Sequence, residues 1–286
     1  MSHVKKCGTL SFVATPIGNL QDITYRAIAL LQQVDYIFAE DTRITQRLLQ
    51  HYGITGAKLT ACHTHNEAQQ AQRITRLLEQ GYNIAYVSDA GTPLISDPGD
   101  KLVMALAQAN LPMQVIPGPC AAISALCLAG CPYHTFTFHG FLPARTKARC
   151  DTFKQLAPEQ THIFYEAPHR LLATLADLQQ TCPTYQIVIA KELTKQHERV
   201  LRGNASHLLA TFETHPDWCK GEFVMVIDTG PAVVNDQYLL TTTELLDQFL
   251  AYLPVKAAAK AVSELTGIPK NTLYQQALVK KQASLS

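Results

Sequence analysis

Five signatures are missing from this sequence, and each absence removes a chemistry. No Gly-x-Gly-x-x-Gly follows the first apolar run, so a standard dinucleotide fingerprint is excluded. There is no Walker-type loop, no Gly-x-Ser-x-Gly elbow and no His-Glu-x-x-His pair, so P-loop phosphoryl transfer, serine hydrolysis and zincin chemistry go too. No Cys-x-x-Cys pair occurs among the eight cysteines at 7, 62, 120, 127, 131, 150, 182 and 219. Cys127 and Cys131, four apart, suit one helix face better than a zinc knuckle; reduced, mostly buried thiols of a cytosolic protein are expected. Excess charge is also lacking: 24 Lys+Arg against 23 Asp+Glu leave a net charge of +1, so any polyanion must be met by a local patch. Long hydrophobic runs are absent. The longest, residues 121–131, has the length of a buried helix and not of a membrane span. Lys5 and Lys6 precede an apolar stretch at 10–14 that is too short for a signal-peptide core, so a cytoplasmic location is expected.

What is present is ordinary globular material. The 286 residues, 47% of them hydrophobic and 16% charged, exclude disorder, collagen and coiled coil, and the length fits about two domains. Through residue 118, buried-strand and helix signals alternate. Strands are expected at 9–14, 36–39, 58–62, 84–87 and ending at 115–116. Helical stripes fall on Ile23/Ala27/Leu30/Val34, Ile44/Leu48/Leu49, Ala71/Ile74/Leu78 and Leu102/Val103/Leu106. This alternation predicts a parallel sheet covered on both faces. Ligands of such sheets sit beyond the carboxyl ends of the strands, which singles out the Gly/Pro-rich loops at 15–19, 88–99 and 117–121. Further strands at 136–138, 162–165, 187–190 and 223–227, with a helix on Leu171/Leu175/Leu178, predict a second α/β domain with a mixed sheet. A polar stretch after Gly230 leads into a helical tail. The expected architecture is α/β: a parallel-sheet domain at 9–118, a mixed-sheet domain at 119–230 and a helical, locally basic tail at 231–286.

The loop Ser88-Asp89-Ala90-Gly91-Thr92-Pro93-Leu94-Ile95-Ser96-Asp97-Pro98-Gly99 has an irregular backbone able to face a ligand. From its composition it reads equally as a rigid strand-to-helix connection with Asp97 as an N-cap. It also resembles the signature of the ribosomal RNA small-subunit methyltransferase I family, a branch of the tetrapyrrole (corrin/porphyrin) methylase superfamily. Supporting segments, in order, are Ala14-Thr15-Pro16-Ile17-Gly18-Asn19-Leu20, Glu40-Asp41-Thr42-Arg43, His65-Asn66-Glu67, Ile116-Pro117-Gly118-Pro119, Gly140-Phe141-Leu142-Pro143, Tyr165-Glu166-Ala167-Pro168-His169-Arg170 and Glu192-Leu193-Thr194-Lys195. The resemblance runs from about residue 9 to 230, with a recognisable tail.

The resemblance implies S-adenosylmethionine as methyl donor, folded between two α/β domains, and a homodimer; from the residues themselves, no metal and no membrane attachment are expected. It implies 2′-O-methylation of a cytidine ribose in small-subunit (16S) ribosomal RNA, at the decoding centre, with the 30S subunit as partner. Donor contacts carried over from the superfamily are Pro16; Gly91, Thr92, Pro93, Leu94 and Ile95; Cys120 and Ala121; Phe164 and Tyr165; Ala190; and Glu222 with Phe223. Two rival readings are a precorrin or uroporphyrinogen methylase and a non-catalytic RNA-binding module.

A ribose hydroxyl needs a base, or stabilisation of its developing alkoxide, to attack a methyl group. Asp41, Glu67, Asp89, Asp97, Glu166, Lys191 and Glu192 are the candidates. Asp41, Asp89 and Glu192 are preferred because they end or follow predicted strands, with Arg43 or Lys191 positioning a phosphate. Asp41–Arg43 and Glu192–Lys195 also read as local ion pairs. The histidines at 63, 65, 139 and 169 are scattered and make no case for a metal. Basic residues for RNA contact are Arg145, Lys147 and Arg149, and Lys256, Lys260, Lys270, Lys280 and Lys281 in the tail. The tail pattern at 257–278 is similar to a helix-turn-helix element or to a plain surface hairpin.

Overall fold

The computed structural model describes residues 7–132, 134–230 and 242–283, the last four without their side chains. Five strands, β1 (Leu10–Val13), β2 (Tyr36–Ala39), β3 (Lys58–Ala61), β4 (Ile84–Val87) and β5 (Met113–Ile116), form an all-parallel sheet in the order β3-β2-β4-β1-β5. Helices α1 (Tyr25–Leu31), α2 (Thr42–His51), α3 (Glu67–Glu79) and α4 (Asp100–Gln108) connect them. Strand alternation sends Val13, Ile37, Ala39, Ala85 and Val87 into a core on one face, and Leu10, Phe12, Phe38, Ile84 and Tyr86 into a core on the other. Both faces are therefore covered, as a parallel sheet requires.

Helix starts follow local chemistry. Thr24 caps α1 by accepting from the Ala27 amide (3.1 Å), and Asp41 caps α2 by accepting from the Arg43 amide (2.8 Å). The α4 start departs from the sequence expectation. Its N-cap is Gly99 at φ +137°, and not Asp97. The missing side-chain cap comes from a distant element: Oε1 of the buried Glu67, at the start of α3, accepts from the amides of Lys101 (2.9 Å) and Leu102 (3.4 Å). Glu67 is thus occupied as a helix cap.

The second sheet contains β6 (Phe136–Phe141), β7 (Thr161–Glu166), β8 (Gln186–Lys191), β9 (Arg199–Gly203) and β10 (Phe223–Asp228), in the order β6-β7-β10-β8-β9. Only the β6–β7 pairing is parallel, so the sheet is mixed. One face carries α5 (Ala121–Ala129), and the other packs with α6 (Thr146–Lys154), α7 (Leu171–Thr181) and α8 (Ala205–Thr214). Sequence periodicity did not single out β9, α6 or α8. β9 is an edge strand with Arg199 and Arg202 exposed, and α6 buries only Arg149 and Phe153. The run at 121–131 is corrected: α5 buries Ala122, Ala125 and Ala129 but leaves Ile123 46% and Leu128 38% exposed. Apart from Ser124 it is apolar, yet only one side meets the sheet. Cys131 lies beyond the Gly130 C-cap and shares no helix with Cys127.

Both sheets belong to one compact unit, and the last three helices form another. In the latter, α9 (Thr242–Tyr252), α10 (Val255–Thr266) and α11 (Lys270–Ala283) enclose a small core of Leu246, Ala258, Ala259, Val262, Leu273 and Ala277. Gly267, at φ +70°, ends α10 in the left-handed conformation that a side chain disfavours. Lys256 and Lys260 are exposed on α10. The polar linker after Gly230, Lys5 and Lys6, and the side chains of Lys280 and Lys281 lie outside the described residues.

Candidate donor-binding cleft

The loops that follow β1, β4 and β5 converge. Thr15 and Gly91 exchange two backbone hydrogen bonds (2.9 and 3.0 Å), and the Thr15 hydroxyl donates to the Ser88 carbonyl (3.2 Å). The Thr92 hydroxyl then donates to the Pro119 carbonyl (3.1 Å), tying in the third loop. Gly91 sits at φ +80°, open to glycine and strained for other residues.

The first loop also docks on the loop after β8. The Asn19 amide donates to the Thr194 hydroxyl (3.1 Å). A Cβ on Gly18 would lie 2.5 Å from Lys195 Cγ and 2.9 Å from the Leu193 carbonyl oxygen, so only glycine permits this approach. Leu94, Ser96, Glu192 and Thr194 hold positive φ without being glycine, and all four belong to the loops at 88–99 and 192–195. Backbone strain of this kind, of order 1–3 kcal/mol per residue, concentrates where a surrounding structure dictates shape for a ligand.

These loops wall a cavity of about 460 Å³. Of the expected donor contacts, Gly91, Thr92, Ile95, Cys120, Ala121, Tyr165, Ala190, Glu222 and Phe223 line it. Four do not. Phe164 is 1% exposed and packs in the core behind β7, because adjacent strand residues point to opposite faces and Tyr165 takes the cavity side. Leu94 packs toward the first sheet, in the space left by Gly99. Pro16 borders a second cavity of about 380 Å³, and Pro93 lines neither. Ile17, Asp89 and Ala90 line both cavities. The sequence reading missed Glu40 and Phe141 among the lining residues. Glu40 directly follows β2, where the carboxyl-end rule applies as it does to Asp41.

Besides Glu166 and Glu222, three carboxylates line the main cavity: Glu40, Asp89 and Asp97. Burial pushes each above its ordinary pKa, and mutual repulsion adds to the effect at Glu40 and Asp97. Asp89 also accepts a hydrogen bond from the Asp41 amide (2.9 Å). The other preferred acids are engaged locally. Asp41 grips the Arg43 guanidinium at 2.5–3.2 Å, which holds its carboxyl at about 2. Arg43 itself is 85% exposed. Burial would raise the Glu192 carboxyl, but Lys195 Nζ (2.9 Å) and the Glu222 amide (2.9 Å) outweigh it and keep it low. Lys191 is buried with its ammonium 6.0 Å from the Phe223 ring centroid. Glu166 is buried against Arg170 and accepts from the Thr174 hydroxyl (2.6 Å). Among the described residues, no group of three His, Cys, Asp or Glu could hold a metal ion, and no helix is long and apolar enough to cross a membrane.

This chemistry suits S-adenosylmethionine. The volume falls in the range of small-molecule pockets, roughly 300–1,000 Å³. Ile17, Ala121, Ala190 and Val224 offer apolar wall for an adenine. The α5 N-terminus opens on the cavity at Cys120 and Ala121 without a side-chain cap, leaving amides for a carboxylate. The three carboxylates suit a sulfonium cation.

The whole chain has relatives. Residues 9–209 match the model of the Tetrapyrrole (Corrin/Porphyrin) Methylases, and residues 241–281 match that of the RsmI C-terminal HTH domain. The chain is 47% identical over 273 residues to a Pasteurella multocida protein named "Ribosomal RNA small subunit methyltransferase I", covering 95% of this chain and 97% of that one. It is 46% identical to the Escherichia coli O157:H7 protein of the same name, covering 95% of each. The fold is that of the Thermus thermophilus uroporphyrin-III C-methyltransferase solved with S-adenosyl homocysteine: TM-score 0.52, 13% identity, 77% of this chain and 97% of that one. A shared fold, a cleft suited to a sulfonium donor, and close identity along nearly the full length together place this chain in the ribosomal RNA small subunit methyltransferase I family of the tetrapyrrole methylases.

Proposed function

We propose that the chain methylates the 2′-hydroxyl of a cytidine ribose in small-subunit (16S) ribosomal RNA, at the decoding centre, acting on the 30S subunit. The observation that carries the reading is the carboxylate-lined cavity at the meeting of the family's motif loops, in a chain 47% identical to a named ribosomal RNA methyltransferase. When bound, S-adenosylmethionine supplies an electrophilic methyl group. The donor lies between residues 9–118 and 119–230, which we take as the two α/β domains. Residues 231–286 form the RNA-binding tail, in keeping with their match to a helix-turn-helix model.

Asp89 is the proposed base. It lines both cavities, burial raises its carboxyl above the ordinary aspartate range despite the opposing charge of Arg43, and among the described residues no cation forms an ion pair with it. It takes the hydroxyl proton onto an Oδ atom, while Glu40 and Asp97 keep the surroundings anionic. Arg43, exposed beside it, meets the adjacent phosphate. Asp41 and Glu192 shape the α2 start and the loop after β8, and Lys191 supports Phe223. The exposed face of α5, with Ile123 and Leu128, is where a second copy packs in the proposed homodimer, and the protein works in the cytoplasm.

Small subunits from cells lacking the enzyme, incubated with protein and methyl-labelled donor and digested to nucleosides, should yield labelled 2′-O-methylcytidine by mass spectrometry. Label on a tetrapyrrole, or RNA binding with no donor consumed, would overturn the reading in favour of the two rivals.

A further inference from the structure

Phe141 ends β6 at the lip of the main cavity, with 57% of its surface exposed. An isolated exposed aromatic is commonplace; the way this one is held is not. Arg149, 2% exposed, donates to the carbonyls of Pro143 and Ala144 (3.2 Å each). Arg170 donates to those of Leu142 (2.5 Å) and Pro143 (3.1 Å). Each guanidinium is in turn anchored by a carboxylate, Asp177 or Glu166. Two arginines thus grip three consecutive carbonyls directly behind Phe141.

On the other side, Gly140 takes φ +69°, and a Cβ there would come 3.1 Å from Ser96 Oγ. That turn brings the chain just before Phe141 against Ser96 of the 88–99 loop. The ring is braced edge-on by Tyr165, centroids 5.5 Å apart. Among the described residues, Tyr165 is the one ring it meets. Arg145 and Lys147, both exposed, follow within six residues.

We propose that Phe141 is a stacking platform for a base of the acceptor RNA, at or next to the methylated nucleotide. A rigid, solvent-facing ring flanked by cations fits single-stranded nucleic acid, whose bases stack on aromatic faces while the backbone follows positive charge. Pre-set rigidity lowers the ordering cost of binding and holds the hydroxyl in line with the methyl group. The inference rests on the proposed RNA substrate.

The test compares F141A, F141L, F141W and F141Y with wild type, in the full chain on small subunits. F141A and F141L should lose about tenfold or more in kcat/KM for the subunit. F141W and F141Y should stay near wild type, and donor affinity by calorimetry should not change. F141L separates stacking from apolar burial, since it keeps the bulk without the ring. Wild-type kinetics for F141A, or full activity in F141L, overturns the platform and leaves the proposed function standing. Weakened donor binding reassigns the ring to the donor, and a smaller F141A species in sedimentation reassigns it to a dimer contact; either overturns the inference. A wild-type protein that labels no RNA overturns the function itself.

Discussion

Replacing Arg149 by methionine decides between two roles for one cation. By sequence Arg149 belongs with Arg145 and Lys147 as a phosphate contact; by structure it is sealed inside. Its Nε donates to Asp177 Oδ2 at 2.7 Å, its side chain is 3% exposed, and its Nη1 donates to both the Pro143 and Ala144 carbonyls. Methionine keeps most of the aliphatic volume but leaves the buried Asp177 carboxylate without its cation and the Ala144 carbonyl without its donor, while Pro143 keeps the bond from Arg170. Breaking a buried pair from one side costs about 3–5 kcal/mol. R149M should lose that much in urea unfolding, followed by the fluorescence of the single tryptophan, Trp218. This ring is a local reporter, stacked on His215 (4.0 Å) with Arg199 4.1 Å from its centroid. The double variant R149M/D177L removes both charges and should recover most of the loss, giving a large coupling energy. The salt dependence of subunit binding should keep its wild-type slope, because no phosphate contact has been removed. Stability within about 0.5 kcal/mol of wild type, together with a salt slope smaller by about one, would refute the structural role and return Arg149 to the RNA surface.

D89N should lower the single-turnover rate about a hundredfold or more with donor and subunit affinities kept, whereas D41N and E192Q should lose much less. The proposed base works ionised and its pKa is raised, so the wild-type rate should be high at alkaline pH and fall as pH drops through a value above the ordinary aspartate range. An acid limb at the ordinary value, or one that persists in D89N, would remove Asp89 from the role. G18A puts a methyl within 2.5 Å of Lys195 Cγ and 2.9 Å of a carbonyl oxygen, so it should weaken donor affinity by calorimetry; unchanged affinity would separate this loop contact from the site. K256Q/K260Q/K270Q should leave donor binding intact and weaken subunit binding, reducing its salt slope by up to about three. Unchanged binding would show that the tail does another job.

Much of this architecture follows from local pattern. Alternating buried strands and helical stripes dictate a parallel sheet with both faces covered, because the side-chain periods of 2 and 3.6 are properties of the backbone itself. Gly/Pro-rich loops after β1, β4 and β5 mark the carboxyl edge for the same reason. Motif spacing is equally local, and Gly91, Thr92, Cys120 and Ala121 do line the cleft. What lay beyond the sequence is everything that depends on direction and partner. Phe164 and Tyr165 are neighbours in the chain, and only the packing of β7 decides which one enters the core. Glu67 caps α4 from 33 residues before that helix begins, a pairing that no local window contains. Arg149 looks like Arg145 and Lys147 in composition, but Asp177 on another helix takes it inside. Glu40 and Asp97 matter because folding brings them beside Asp89, where burial and like charge raise all or part of the group together. Local sequence sets periodicity and turn chemistry; burial, charge environment and the choice of hydrogen-bond partner are sums over residues far apart in the chain, and only the tertiary structure performs those sums.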